Sequence, residues 1–115
     1  MRTLNDYFLP GGIIATIHTV DTENTDTVIP DGGTLQAIYM HVHTLIDATT
    51  TFDIYKNGSD SGVDATLADA TPDESGVALS LGGSVEYAAG DAIKLRSNGE
   101  QSGATTVDVT YVIRR

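Results

Sequence analysis

Cysteine is absent from this chain, which removes disulfides, thiolate metal sites, iron–sulfur clusters and cysteine nucleophiles together. Extracellular domains of this size are commonly stapled by disulfides, so this one must be held by its own core or by neighbouring subunits. Tryptophan is absent as well, and the aromatics are five tyrosines and two phenylalanines. Cations are scarce: six Lys and Arg stand against sixteen Asp and Glu, a formal net charge of -10. Arg2, Arg114 and Arg115 lie at the chain ends, which leaves the body without the Lys/Arg cluster that phosphate binding needs. Nucleic acid is therefore not an expected partner, and an acidic body is repelled by anionic lipid surfaces. No apolar run approaches the ~20 residues of a membrane span, so no membrane partner is expected either. The opening MRTLNDYFLP lacks the apolar stretch of a secretory signal.

What is present points to strands. A chain of 115 residues fits one domain, and its sixteen threonines and twelve glycines join many Val and Ile to favour strands and turns. Ile13 to Val20 reads as a first strand after Pro10-Gly11-Gly12. Thr34 to Thr44 reads as a longer one, with Leu35, Ala37, Tyr39, His41 and His43 on one face and Ile38, Met40 and Val42 on the other. Thr50 to Lys56 alternates and runs into Asn57-Gly58, a strong hairpin signal. Shorter strands follow at 63–67, 76–81 and 84–87. The stretch 92–97 resumes after the turn Ala89-Gly90-Asp91, and 105–114 closes the chain. The last strand is expected to be central and paired on both sides. The fold class is thus all-β, an antiparallel β-sandwich (jelly roll) of about eight strands. Residues 1–12 are expected as a short N-terminal arm and residues 13–115 as the sandwich domain.

Chemistry is thinly represented. His41-Val42-His43 places two imidazoles on one strand face, and Asp47 follows. This is faintly like a first cupin motif, yet the acid is the wrong type and the downstream half has no histidine to complete a shell. No metal site and no cofactor are expected from it, and the pair reads as surface-facing or interfacial. Asp21, Glu23 and Asp26 share one loop, and Asp69, Asp73 and Glu74 another. Neither has EF-hand spacing, so both read as solvated. The glycine pairs lack a P-loop or Rossmann context, and no Gly-X-Ser-X-Gly elbow occurs. An enzyme is not expected.

The stretch Val85-Glu86-Tyr87-Ala88-Ala89-Gly90-Asp91-Ala92-Ile93-Lys94-Leu95 resembles the penultimate hairpin of TNF/C1q-like jelly rolls, with Gly90 and Asp91 as its turn residues. The wider pattern includes the Pro30-Asp31-Gly32-Gly33-Thr34-Leu35 entry and the Ile54-Tyr55-Lys56-Asn57-Gly58 hairpin. It is similar to tailed-phage trimeric head-decoration, or capsid cementing, proteins. That resemblance implies a non-enzymatic homotrimer on the outer surface of a virion, where it would bind and stabilise the major capsid protein. Arg2, Tyr7, Phe8 and Leu9 of the arm are then the candidate capsid contacts. The alternative is a receptor- or carbohydrate-binding module of a phage tail fibre or another head–tail component. Sugar sites usually stack aromatic faces on the ring, and the shortage of aromatics weighs against that alternative.

Overall fold

A computed structural model of the protein describes residues 5–115. Among these residues ten strands follow one another without a helix: β1 (Asp6–Ile14), β2 (Thr27–Val28), β3 (Gly33–Val42), β4 (Thr50–Lys56), β5 (Ser59–Leu67), β6 (Ser75–Ala78), β7 (Ser80–Leu81), β8 (Glu86–Tyr87), β9 (Ala92–Ser97) and β10 (Val107–Arg114). They form two antiparallel sheets. One, sheet A, runs β1-β10-β3-β6, with β8 on the other end of β3; the second, sheet B, runs β2-β9-β4-β5-β7. The β-sandwich read from the sequence is what the chain forms, and β10 is paired on both sides, by β1 and β3. The strand count exceeds eight because the two-residue β2 carries too little pattern to read. The stretch 76–81 is also cut in two at Leu79. That residue is buried and donates its N–H to the Ile38 carbonyl at 2.9 Å. Here the chain leaves the edge of sheet A for the edge of sheet B, turning the corner between layers.

Period-two alternation builds the core. Phe52 and Ile54 of β4, Ile93 and Leu95 of β9, and Val107, Val109, Tyr111 and Ile113 of β10 all point inward and are buried. In β3 the expected division of faces is corrected. Leu35 is buried together with Ile38, Met40 and Val42, because the register slips by one residue where Val112 and Ile113 pair with Ala37 and Leu35. This β-bulge leaves Gln36 unpaired and rotates Leu35 into the core, while Ala37, Tyr39 and His41 keep the outward face.

The arm is corrected too. From Asp6 onward the chain is not an arm but strand β1, in register from Asp6 opposite Arg114 to Ile14 opposite Val107. Tyr7 and Leu9 pack against the core, and the Arg114 Nε donates to Asp6 Oδ1 at 2.8 Å. Alternation of Tyr7 and Leu9 with Phe8 is the strand signal. Pro10 does not oppose it, since β1 is an edge and needs no outward ladder there. The first strand correspondingly ends at Ile14, and the residues beyond it form turns instead of running on to Val20. A bulge between Pro10 and Gly12 brings Gly11 against Tyr111, where a β-carbon would stand 2.7 Å from the ring.

Asn24 ties the two layers. Its side chain is buried and donates from Nδ2 to the Gly11 carbonyl at 2.9 Å and to the Tyr111 hydroxyl at 2.8 Å. Its Oδ1 accepts the Leu95 N–H at 2.9 Å. Among the described residues no buried side-chain nitrogen or oxygen lacks a partner. Asn24→Ala should therefore leave a strand N–H, a carbonyl and a phenol unsatisfied and destabilise by roughly 2–4 kcal/mol. Urea unfolding, read as a lower midpoint at unchanged m, measures this.

Candidate functional site

Two turns set up one end of the sandwich. Asn57-Gly58 closes the β4–β5 hairpin, and Ala89-Gly90-Asp91 leads into β9. Gly90 takes φ 93°, a conformation that side chains disfavour. Asp91 Oδ2 accepts the Ala88 N–H at 2.7 Å. Asn57 donates from Nδ2 to Asp91 Oδ1 at 2.9 Å and accepts the Ala92 N–H on Oδ1 at 2.9 Å. The two turns, each legible in the sequence, thus lock one another. The Asn57 amide and the Ala88 N–H hold the Asp91 carboxyl below the usual carboxylate range.

Beside this lock lies an open cleft of about 550 Å3, lined by Thr34, Lys56, Ser61, Ser84, Val85 and Glu86. Thr34 and Glu86 face each other across β3 and β8 of sheet A, while Lys56 ends β4 and Ser61 belongs to β5 of sheet B. The cleft therefore straddles the gap between layers. Lys56 is steered by Asp91, with Nζ 3.8 Å from Oδ2, and lies 5.9 Å from the centroid of the Tyr87 ring. Three hydroxyls, an ammonium and a carboxylate converge on the cleft, a set that both donates and accepts hydrogen bonds. Thr34, Lys56 and Glu86 fall within the turn and hairpin stretches read from the sequence, but as fold signals; nothing in those stretches marks them as ligand-binding, and Ser61 and Ser84 lie outside them.

The residues singled out in the sequence are dispersed. Arg2 lies outside the described residues. Tyr7 donates its hydroxyl to the Gly32 carbonyl at 2.7 Å and, with Leu9, faces inward; of these contact candidates Phe8 points to solvent, 49% exposed. His41 and His43 face outward beside Glu74. Asp47 is elsewhere, accepting the Ser102 N–H at 3.1 Å. Glu23 bonds Arg96 at 3.2 Å and Lys94 at 3.3 Å; burial would raise its pKa, but these cations outweigh it and hold the carboxyl low. The outward face of Tyr55 is roofed by Lys94 and Arg96, 5.5 and 4.7 Å from its ring centroid.

No family model matches the chain, and no curated protein matches it. Solved structures do. A GH26-CBM35 β-(1,4)-mannanase from Podospora anserina superposes with a TM-score of 0.56 at 12% identity, covering 96% of this chain and 28% of that one. An exo-β-1,3-galactanase from Phanerochaete chrysosporium, solved with β-1,3-galactotriose, gives a TM-score of 0.51 at 16% identity, covering 93% of this chain and 26% of that one. The chain thus spans about a quarter of the length of each of these proteins. At these identities the likeness shows the β-sandwich fold.

Asp53 on sheet B and Asp91 in the turn before β9 respond to pH in opposite senses. Asp53 pairs across the ladder with Asp64; burial first, then the hydrogen bond and charge of Asp64 and the charge of Asp60, raise its pKa. A raised carboxyl pKa means that ionisation opposes folding, so Asp53→Asn should stabilise at neutral pH by up to about 1 kcal/mol. That gain should vanish as acid protonates the wild-type pair. Asp91, held low, contributes when ionised, so Asp91→Asn should lower Tm at neutral pH. Its deficit should close as pH falls through the depressed pKa of the wild-type carboxyl. Parallel thermal melts between pH 2 and 8 test both signs.

Proposed function

We propose that this domain is a non-catalytic glycan-recognition module that takes a short saccharide into the cleft lined by Thr34, Lys56, Ser61, Ser84, Val85 and Glu86. The observation that carries this reading is the likeness of the whole sandwich to about a quarter of two chains named for mannan- and galactan-degrading activity. The cleft supports it. Its volume falls within the range of small-ligand sites, and hydroxyls flanked by one cation and one anion suit the alternating donors and acceptors of a sugar. Hydrolysis is a poor fit, because glycoside hydrolases use a pair of carboxyl groups and Glu86 is the single acid among the lining residues. With Tyr55 roofed by cations and Tyr87 and Tyr111 buried, recognition in the cleft rests on hydrogen bonds more than on ring stacking.

A second reading is a trimer that decorates a phage capsid surface by binding the major capsid protein. It is favoured by the outward face of sheet A, where Phe8, Ile13 and Tyr39 are 49%, 56% and 44% exposed and available for a sister chain or a shell to cover.

A glycan array followed by calorimetry with β-1,4-manno- and β-1,3-galacto-oligosaccharides tests the first reading. Binding should fall between micromolar and millimolar Kd. Lys56→Ala and Glu86→Gln should each weaken it about tenfold or more, the worth of a charge-assisted hydrogen bond. A chain that retains no glycan, yet cosediments with empty capsids and loses this on Phe8→Ser, would replace the first reading by the second.

A further inference from the structure

We propose that His41, His43 and Glu74 form a binding site for a divalent transition-metal ion of borderline softness, such as Zn2+, on the outward face of sheet A. The ligand atoms converge. His41 Nε2 stands 3.2 Å from Glu74 Oε2, and His43 Nδ1 stands 3.6 Å from Glu74 Oε1. One ligand atom from each of the three residues can be chosen so that all lie within 4.8 Å of one another. Ligands at ordinary Zn–N and Zn–O bond lengths around a tetrahedral ion are about 3.3 Å apart, and each imidazole already stands near that distance from one of the two Glu74 oxygens. Rotation of the exposed side chains brings the set from within 4.8 Å to that spacing.

Local structure explains the convergence. Period-two geometry puts His41, near the end of β3, and His43, just beyond it, on one face, and their ring centroids are 4.8 Å apart. Gly76 of β6 lies directly opposite His41, and nothing stands within 4 Å of where its β-carbon would be, so the neighbouring strand leaves the imidazoles uncovered. Glu74 precedes β6 with φ 54°, a left-handed residue at the strand entry whose carboxylate reaches the pair. On the other side, Asp108 of β10, in register with His41, meets His43 Nε2 at 2.8 Å. A proton donated from Nε2 to Asp108 leaves the Nδ1 lone pair facing Glu74, the orienting role that an outer carboxylate plays behind a metal-bound histidine.

Two imidazoles and one carboxylate select zinc, nickel or copper over calcium or magnesium, which take oxygen shells. Three protein ligands on an exposed face leave at least one coordination position open to water or to a partner's donor group. Glu74 and Asp108 together supply the negative charge that favours a cation over solvent. The site lies at the far end of β3 from Thr34, so it stands or falls separately from the glycan cleft.

Calorimetry of the full chain with ZnCl2 should show one ion bound per chain. His41→Ala and His43→Ala should each weaken binding at least tenfold, Glu74→Gln should do likewise, and Asp108→Asn should weaken it 10–100-fold by freeing the His43 ring. Calcium at millimolar excess should not displace the zinc. NMR provides a readout on the unaltered protein: paramagnetic Co2+ should broaden the ring signals of His41 and His43 and spare His18, whose Nδ1 accepts the Thr105 N–H at 3.1 Å. Absence of saturable binding below millimolar zinc, binding unchanged in the double histidine variant, or broadening that includes His18 equally would overturn the assignment.

Discussion

The buried amide of Asn24 is the constraint on which the two layers depend. A sandwich with no disulfide is held together across its midplane chiefly by apolar contacts, which resist separation but tolerate sliding; the Tyr87 hydroxyl adds a single bond, to the Tyr55 carbonyl at 3.2 Å. Asn24 accepts from β9 in sheet B and donates to β1 and β10 in sheet A, so its three bonds can all be made in only one relative placement of the sheets. It also fixes the state of Tyr111. Burial pushes that phenol well above its usual range, and the hydroxyl remains un-ionised as the acceptor for the amide. Gly11 belongs to the same arrangement, because a side chain there would collide with the Tyr111 ring and displace the carbonyl that Asn24 binds.

With the layers so placed, the two outward faces differ in chemistry. Sheet B carries Lys94 and Arg96, which spend their charge on Glu23 and cover Tyr55. Sheet A keeps its apolar and imidazole side chains open to water: Phe8, Ile13 and Tyr39, then His41 and His43. Side chains that donate and accept hydrogen bonds line the gap between the sheets, and two imidazoles and a carboxylate gather on sheet A. The scarcity of cations makes this division sharper, since Lys94 and Arg96 are committed on sheet B and Lys56 faces the cleft.

Much of the fold was legible because strand alternation is a local signal. β4 and β9 emerge at the residues where the pattern begins and ends, and both the Asn57-Gly58 and Gly90-Asp91 turns sit where their backbone chemistry requires. Features that break alternation were not legible. The bulge at Gln36 turns Leu35 inward although its neighbours in the alternation face out, and Tyr7-Phe8-Leu9 looks like a loose arm until β10 is there to pair with it. Functional groups fared worse for the same reason. His41 and His43 announce each other by spacing, but Glu74 lies 33 residues from His41 and comes to it through the β3–β6 pairing. The cleft draws its six lining residues from four separate segments, so strand pairing, not any one stretch of sequence, brings them together.

The pairing of β1 with β10 also fixes the order in which the molecule can be made. Asp6 and Arg114 are 108 residues apart, and β10 sits between β1 and β3, so sheet A cannot assemble until the residues from Val107 onward have left the ribosome. The β4–β5 hairpin can close early around its tight turn, whereas Ile38, Met40 and Val42 must wait with their apolar sides uncovered. A topology dominated by such distant pairings folds slowly, in milliseconds to seconds, and exposes an incomplete sheet to self-association meanwhile. The large negative charge of the chain then acts during synthesis, by keeping nascent copies apart until the last strand closes the sheet.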